Sequence, residues 1–361
     1  MKYLVEFRDP AVIERLKEEI SKVAPERTVK IMEVCGTHTM AIRRFGLPSL
    51  LPPTVRLISG PGCPVCVTPN RYIDTAIALS RLKGVTIATF GDMVKVPGSS
   101  SSLEREKSKG AKVLVVYSPH DALLHAEKNP DEKVVFLAVG FETTAPLIAA
   151  ALKEARNKGI RNFYVLPGNK VIPPAMEALL QDPEIEIDAF LLPGHVSTVI
   201  GTEPYRPLIE KYGITSAVGG FEPADILSAL YMILRDLKEC KSEVRNAYTR
   251  VVKREGNPRA REIMKEVFAE ADSEWRGLGI IPSSGLELRE NYLEFDIRNS
   301  VKVEVEETRE NPLCRCGDVL KGKVSPPECP LFGKSCTPDN PYGPCMVSSE
   351  GTCAAYYKYG G

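Results

Sequence analysis

The sequence predicts an α/β protein with two related parallel-sheet domains and a cysteine-rich C-terminal domain. Eight short apolar runs have no polar face, and helical patterns separate them, as is typical of parallel sheets covered by helices. The predicted strands are residues 28–34, 55–59, 85–90, 112–118, 133–139, 162–166, 187–192 and 214–218. Helical stretches between them include "YIDTAIALSRLK" and "TAPLIAAALKEARNK".

Short motifs recur along this region and suggest an internal repeat. "IMEVCGTHTMAI" parallels "FLAVGFETTAPLI", and "LISGPGCPVCV" parallels "FLLPGHVSTVI". We therefore expect α/β domains over residues 1–125 and 126–230, followed by a helical and cysteine-rich domain over residues 231–361. From about residue 226 to residue 270 the pattern is helical. The polar stretch 96–111 has the composition of either a mobile loop or an inert connector.

Charge and hydropathy limit the possible partners. The 361 residues include 47 basic and 47 acidic side chains, so no global field attracts nucleic acid or anionic lipid. The N-terminal sequence "MKYLVEFRDPAVIERLKEE" lacks the apolar region of a signal peptide. No apolar run approaches the roughly 20 residues that span a bilayer. We expect a cytoplasmic protein that binds neither nucleic acid nor membranes.

The cysteines are the most informative residues. In a reducing compartment they bind metals or catalyse more often than they form structural disulfides. The chain has 10 of them, unevenly distributed. Three lie near the N-terminus, Cys240 stands alone, and six lie between Cys314 and Cys353.

Chemically active side chains follow several of the predicted strands. Reactive groups in open α/β sheets collect beyond the carboxyl ends of the strands, so we expect one site in a cleft between the two domains. We expect His195 and Glu142 of the second domain to face the cysteines of the first. The candidate site residues are Cys35, His38, Cys63, Cys66, Asp92, Glu142 and His195.

The cysteines of this group and His38 can each have either a structural or a functional role. Cys35 is either a small buried residue or a thiolate favoured by its position between a strand and a helix start. His38 is either a capping or core histidine, or an acid–base or metal partner. The spacing Cys63-Pro-Val-Cys66 after a strand is typical of a thioredoxin-like dithiol, so the pair is redox-active, shares a metal with Cys35, or is simply buried.

The C-terminal cysteines outnumber the ligands of one zinc ion. Six thiols within forty residues exceed the four that a zinc site takes. Four can hold an iron–sulfur cluster and leave two as a redox pair beside it. A structural zinc site is the main alternative.

Five motifs resemble those of the HypD family of hydrogenase maturation factors, along essentially the whole chain. They are "EVCGTHT", "GPGCPVCVTP", "GFETTAP", "LPGHVS" and "CPLFGKSCTPDNPYGPCMVSSEGTCAAYY". The resemblance implies a role in assembling the Fe(CN)2(CO) unit of [NiFe] hydrogenases. It implies a complex with the small chaperone HypC, and cyanide ligands from HypE that HypF supplies from carbamoyl phosphate. The hydrogenase large subunit is then an indirect partner.

The resemblance also implies site roles and a cofactor. By position, Cys35 is the prime candidate to hold the iron of the nascent unit, and Cys63 and Cys66 match the family's second essential cysteine motif. The C-terminal domain is expected to carry a [4Fe-4S] cluster. The protein is then a redox-active scaffold in cyanide transfer or a passive iron-holding platform. Without the resemblance, an iron–sulfur-linked thiol oxidoreductase is the third alternative.

The six C-terminal thiols divide unequally by spacing. Cys329 precedes a proline, and the glycine before Cys336 allows the chain to wrap tightly. Cys314 and Cys316 are separated by one residue, which makes it difficult for both to bind one cubane. The predicted cluster ligands are Cys314, Cys329, Cys336 and Cys353, and the predicted redox pair is Cys316 and Cys345.

Overall fold

The computed structural model describes residues 6–360, which form two parallel sheets, one hairpin and a cysteine-rich C-terminal segment. The strands are β1 Val29–Glu33, β2 Val55–Ser59, β3 Val85–Thr89, β4 Lys112–Val115, β5 Lys133–Gly140, β6 Phe163–Asn169, β7 Ala189–Leu192, β8 Thr215–Val218, β9 Val244–Asn246, β10 Phe268–Trp275 and β11 Gly279–Leu288. All eight predicted strands are present, so the α/β class with parallel sheets is confirmed.

Helices connect and cover these strands. The helices of the first half are α1 Pro10–Val23, α2 Gly36–Arg44, α3 Pro64–Val67, α4 Asn70–Ser80, α5 Gly91–Val94, α6 Leu103–Ser108, α7 Pro119–Lys128, α8 Ala145–Lys158 and α9 Ile172–Gln181. Those of the second half are α10 Gly194–Ile200, α11 Arg206–Tyr212, α12 Pro223–Lys238, α13 Pro258–Val267, α14 Ile297–Ser300, α15 Cys316–Leu320, α16 Pro344–Val347 and α17 Thr352–Tyr359. None of the helices in residues 6–360 is long and apolar enough to cross a membrane.

Local sequence accounts for several of the helix ends. Helix α7 begins with a capping box, in which the Ser118 side chain accepts from the Asp121 backbone and the Asp121 side chain accepts from the Ser118 backbone. Helix α8 ends at Gly159, whose φ of 68° lies in the left-handed region that glycine adopts without strain. These signals delimit the helices independently of the tertiary fold.

The two sheets do not follow the order of the chain. The first sheet has the strand order β2-β1-β7-β8-β9, and the second has the order β4-β3-β5-β6. Every neighbouring pair within them is parallel. Each sheet therefore contains strands from both sides of the expected boundary at residues 125 and 126. The repeated motifs indicate similar strand–loop units, but they do not determine which strands pair.

One segment with a predicted helical pattern is partly a strand. Helix α13 ends at Val267, and the next residues form β10, which pairs antiparallel with β11. The side chains of β10 alternate between buried or half-buried and exposed positions, which is the period of a strand with one covered face.

A shared core joins the two sheets. It includes inward-facing residues of the first sheet, such as Met32 and Phe190, and of the second sheet, such as Ile87 and Leu137. Four cysteines belong to the same core, namely Cys63, Cys66, Cys316 and Cys345. Helices α1, α2 and α12 cover the outer face of the first sheet, while α7, α8 and α13 cover the second. The cysteine-rich segment is thus part of the central packing.

The polar stretch 96–111 is held by specific hydrogen bonds. Asp74 accepts from the backbone and the hydroxyl of Ser99, both at 2.7 Å. Glu106 accepts from the Arg81 guanidinium at 2.9 and 3.0 Å and from the Ser101 hydroxyl at 2.6 Å. The stretch also contains α6, whose first turn Ser102 caps. It is an anchored segment, not the mobile loop that its composition suggests.

We expect Glu106→Gln to lower the free energy of unfolding by about 2 kcal/mol at neutral pH, because the Arg81 guanidinium loses its charged acceptor. That ion pair lowers the pKa of Glu106 from 4.5 to about 2. The stabilisation is therefore complete above about pH 4.5 and is lost as the pH falls towards 2. Urea unfolding of the wild type and of Glu106→Gln, at pH 7 and at low pH, measures this stabilisation.

The matched control is Glu104→Gln, because Glu104 lies in the first turn of the same helix and is exposed. It shares the helix-dipole contribution of Glu106 and lacks the Arg81 contact. Equal destabilisation by the two substitutions at pH 7 would contradict the anchoring role.

Candidate functional site

Cys35 lies where β1 ends and α2 begins, beside the loop that carries Cys63. The Gly36 backbone N–H donates to the Gly62 carbonyl at 3.0 Å. A Cβ atom on Gly62 would overlap the backbone nitrogen and Cα of Cys35. Because only glycine allows this approach, the "GPGCPVC" loop lies directly against the Cys35 backbone. The structure therefore brings the ends of β1 and β2 together as expected.

Cys63 and Cys66 form a disulfide at the start of α3. Their Cα atoms are 5.2 Å apart, and both residues are buried. The Cys66 backbone N–H donates to the Cys63 sulfur at 3.2 Å, so Cys63 also caps this short helix. The pair adopts the oxidised state of a dithiol within the shared core.

Burial controls the protonation of Cys35. The side chain is 7% exposed, and desolvation raises the pKa of its thiol to about 12, with a further contribution from the charge of Glu350. Hydrogen bonds from the backbone of His38 and Thr37 lower the pKa by less. The expectation that the helix start favours the thiolate is therefore wrong for this structure, since desolvation outweighs it. The Cys35 thiol is therefore protonated at neutral pH.

Glu350 is a site residue that sequence reasoning missed. Its Oε1 accepts from the Thr37 hydroxyl at 2.5 Å, and its backbone packs against Gly36 so closely that a Cβ atom there would overlap it. Its charge acts on the pKa of both Cys35 and His195. The only local signal is the sequence "SSEG" between two cysteines, which gives no hint of a contact with residues 36 and 37.

Asp92 holds the segment that carries Glu350. It lies at the start of α5 and accepts from the Ser348 hydroxyl at 2.9 Å and from the Ser349 backbone at 3.1 Å. The Ser349 hydroxyl also donates to it at 3.3 Å. Asp92 was expected among the reacting groups, and these contacts give it a positioning role towards Glu350.

The two candidate histidines lie in helices that follow strands of the sheet to which β1 belongs. His38 is fully buried in α2, and its Nε2 donates to the Gly220 carbonyl at 2.9 Å and lies 3.2 Å from the Gly219 carbonyl. Burial lowers the pKa of His38 to about 4, so this histidine is neutral. These contacts match the core alternative. They fix its ring beside the site and leave it no role as a cation.

His195 follows β7, which pairs with β1. It therefore approaches from the strand next to Cys35 and not from the opposite sheet, as the expected domain boundary implied. Its ring stacks on Phe221 with centroids 4.0 Å apart, and His38 lies on the same phenyl ring at 4.9 Å. His195 is exposed, and it is the imidazole that remains available beside the site.

Glu142 lies at the end of β5 in the second sheet and lines a different cavity. Its Oε1 accepts from the Ile172 backbone at 2.9 Å, and burial raises the pKa of its carboxyl to about 7. The cavity of about 550 Å³ that it lines includes none of the cysteines. Burial raises the pKa of Tyr205, and the charges of Glu142 and Cys35 raise it further. Sequence reasoning missed Tyr205, and no local pattern distinguishes it.

The six C-terminal cysteines surround one small cavity. The sulfurs of Cys316 and Cys345 lie 2.8 Å apart. Cys329 and Cys336 are buried in a neighbouring cluster, and Cys314 and Cys353 pack both against that cluster and against the core that contains Cys316 and Cys345. The close pair is the predicted redox pair, and the identity of the cluster ligands stays a prediction.

The thiols around this cavity fit more than one kind of metal group. Within residues 6–360, no three His, Cys, Asp or Glu side chains are placed to hold a single metal ion. Four thiolates are the ligands that iron–sulfur clusters take, and they are also the ligands of one class of structural zinc site.

The cysteine-rich segment contacts both front motifs. Helix α16, which carries Cys345, packs on α3, and α17, which carries Cys353, packs on α2.

The HypD family model, described as a hydrogenase formation family (hypA), matches residues 11–360. The chain belongs to the HypD family.

Relatives of this HypD chain span its full length. It is 47% identical over 368 residues to the hydrogenase maturation factor HypD of Azotobacter vinelandii, covering 100% of this chain and 97% of that protein. It is 45% identical over 366 residues to HypD of Escherichia coli K12, covering 99% and 98%. It is 43% identical over 369 residues to HypD of Cupriavidus necator, covering 100% and 97%. The resemblance of the five motifs is thus confirmed, and hydrogenase maturation is the function of the family.

Substituting Gly62 tests whether the close contact between its loop and the Cys35 backbone shields the Cys35 thiol. We expect Gly62→Ala to push the loop of Cys63 away from α2, so that an alkylating reagent reaches Cys35 several times faster than in the wild type. Mass spectrometry of the labelled full-length protein measures this rate. Gly91→Ala is the matched control, because its Cβ would meet only Val115 at 3.7 Å, an ordinary contact. Unchanged labelling in Gly62→Ala would show that the approach does not shield Cys35.

Proposed function

We propose that the protein is a redox-active scaffold on which the Fe(CN)2(CO) unit of [NiFe] hydrogenases is assembled together with HypC. Cys35 holds the iron, and Cys63 and Cys66 take part in the reductive transfer of cyanide delivered by HypE, with HypF upstream. The hydrogenase large subunit receives the product indirectly. The observation that carries the proposal is the close packing of the loop that leads into the Cys63–Cys66 disulfide against the backbone of Cys35.

Cys35 suits a metal that arrives as cargo. Its thiol is protonated at neutral pH, so iron binding releases a proton and converts a neutral buried group into a compensated ion pair. His195 and Glu350 lie on the same side and supply an imidazole and a carboxylate near the iron. Their influence on the metal is electrostatic in this proposal, because Cys35 is the one thiolate assigned to it.

The adjacent pair supplies two electrons for cyanide release. Cleavage of a thiocyanate to a thiolate and CN⁻ is reductive. The thiolate of one cysteine attacks the thiocyanate sulfur, the S–CN bond breaks, and CN⁻ leaves with the electron pair. The second thiolate then attacks the mixed disulfide, which releases the carrier thiolate and leaves the Cys63–Cys66 disulfide. Two electrons must return to the pair before the next cyanide.

The C-terminal cysteines support a route for those electrons. Cys314, Cys329, Cys336 and Cys353 would hold a [4Fe-4S] cluster, which supplies one-electron transfer when bound. Cys316 and Cys345 form the second thiol pair, and the helix that carries Cys345 packs on the helix that carries Cys66. A passive platform would need neither pair. The Cys63–Cys66 disulfide therefore favours the redox-active role.

We expect Cys35→Ser to keep the fold and to abolish the infrared bands of Fe-bound CN and CO in the purified complex with HypC. The cause is the loss of the thiolate that holds the iron. Cys240→Ser is the matched control, because Cys240 is an exposed free cysteine and should leave the bands unchanged. Normal bands in Cys35→Ser would refute the assignment. Thiol trapping that finds Cys63 and Cys66 in a single redox state throughout would favour the passive platform.

Serine variants of the C-terminal cysteines test the division into ligands and redox pair. We expect Cys314→Ser to lower the iron and sulfide content after anaerobic reconstitution and to abolish the EPR signal of the reduced protein. Cys316→Ser should keep the cluster, because its sulfur pairs with Cys345 instead. The opposite result would reverse the choice between these two residues. Zinc alone at full occupancy in anaerobically prepared protein would eliminate the electron route.

A further inference from the structure

The cavity lined by Glu142 has the properties of a binding site. Its volume is about 550 Å³, within the range of about 300–1,000 Å³ that is typical of small-ligand pockets. Helix α13, the β10–β11 hairpin and the start of α9 supply most of its lining. Its apolar lining includes Val171, Pro173, Ile200, Met264, Phe268 and Leu286.

The floor of the cavity carries an acceptor without a partner. Glu142 is 2% exposed, and its Oε1 accepts from the Ile172 backbone N–H. Its Oε2 is buried and has no hydrogen-bond partner within residues 6–360. Leaving such an oxygen unsatisfied is unfavourable, so a ligand that donates one hydrogen bond at this point gains affinity.

The charged groups around the cavity are mostly basic. Arg261, Lys265 and Arg289 line it together with one further carboxylate, Glu270. None of these four forms an ion pair in the described part of the chain. Arg289 donates to the carbonyls of Lys265 and Phe268 at 2.8 and 2.9 Å, which fixes its position. The net positive charge favours an anionic partner segment and disfavours a basic one.

We propose that this cavity is a docking site for a tryptophan or tyrosine side chain carried on an acidic segment of a partner protein. The aromatic ring fills the apolar walls, its N–H or O–H donates to Glu142 Oε2, and neighbouring carboxylates face the basic residues. Tryptophan and tyrosine combine a large apolar surface with one donor, which explains their frequency at interface centres. The inference rests on the proposed scaffold role but does not require the thiol chemistry.

Short peptides test the site on the full-length protein without iron. The probes are acetylated and amidated pentapeptides, namely Asp-Glu-Trp-Glu-Asp, its Tyr and Phe versions, and Lys-Lys-Trp-Lys-Lys. We expect the acidic Trp and Tyr peptides to bind on the order of tenfold more tightly than the Phe peptide, which leaves the oxygen unsatisfied. The basic Trp peptide should bind most weakly. Saturation-transfer NMR titrations measure each dissociation constant.

Two variants locate the binding. In Glu142→Gln, the amide oxygen stays on the Ile172 N–H, so an NH2 group faces the cavity and the preference for Trp over Phe should disappear. In Lys265→Glu, the preference for the acidic peptide over the basic one should shrink severalfold. Glu294→Gln is the matched control, because Glu294 is exposed and lies outside the cavity. It should bind all peptides as the wild type does.

The outcomes distinguish this inference from the proposed function. Equal affinity for the Trp and Phe peptides, or a preference unchanged in Glu142→Gln, would overturn the docking site. Neither result would affect the infrared bands that depend on Cys35. Conversely, loss of the Cys35 assignment would leave the peptide affinities as expected here.

Discussion

The site depends on close backbone packing around Cys35. Gly62 lies against the Cys35 backbone, and Gly36 lies against Glu350. Neither contact tolerates a Cβ atom, so the end of β1, the loop after β2 and the segment before α17 form one unit. This packing shields the thiol, and it fixes the Cys63–Cys66 pair beside it without any direct cysteine–cysteine bond between the two motifs.

The same burial determines the charge state of the site. Desolvation raises the pKa of Cys35 and lowers that of His38, so both favour their neutral forms near pH 7. A buried pocket of neutral groups is poorly suited to hold an isolated anion. A bound cation can replace the proton of the thiol there, because the attraction between the cation and the thiolate offsets the cost of burying both charges.

The cysteine-rich segment derives its order from the rest of the protein. It has little regular structure of its own, and a segment of this kind cannot build a large apolar core. Instead, Cys316 and Cys345 join the core between the two sheets, and Asp92 anchors Ser348 and Ser349. The thiols of this segment and those of the front motifs are therefore held in one packed framework.

The sequence by itself determined the strands, the α/β class, the family and the residue types of the site. These features follow from local periodicity and from short motifs, such as the strand–glycine units that precede Cys35 and Cys63. Only the tertiary structure decided which strands share a sheet, because pairing depends on crossovers between distant segments. It thereby placed His195 beside Cys35 and Glu142 in a separate cavity. It also decided the pKa of the Cys35 thiol, which depends on burial and on the charge of Glu350, a residue hundreds of positions away in the chain.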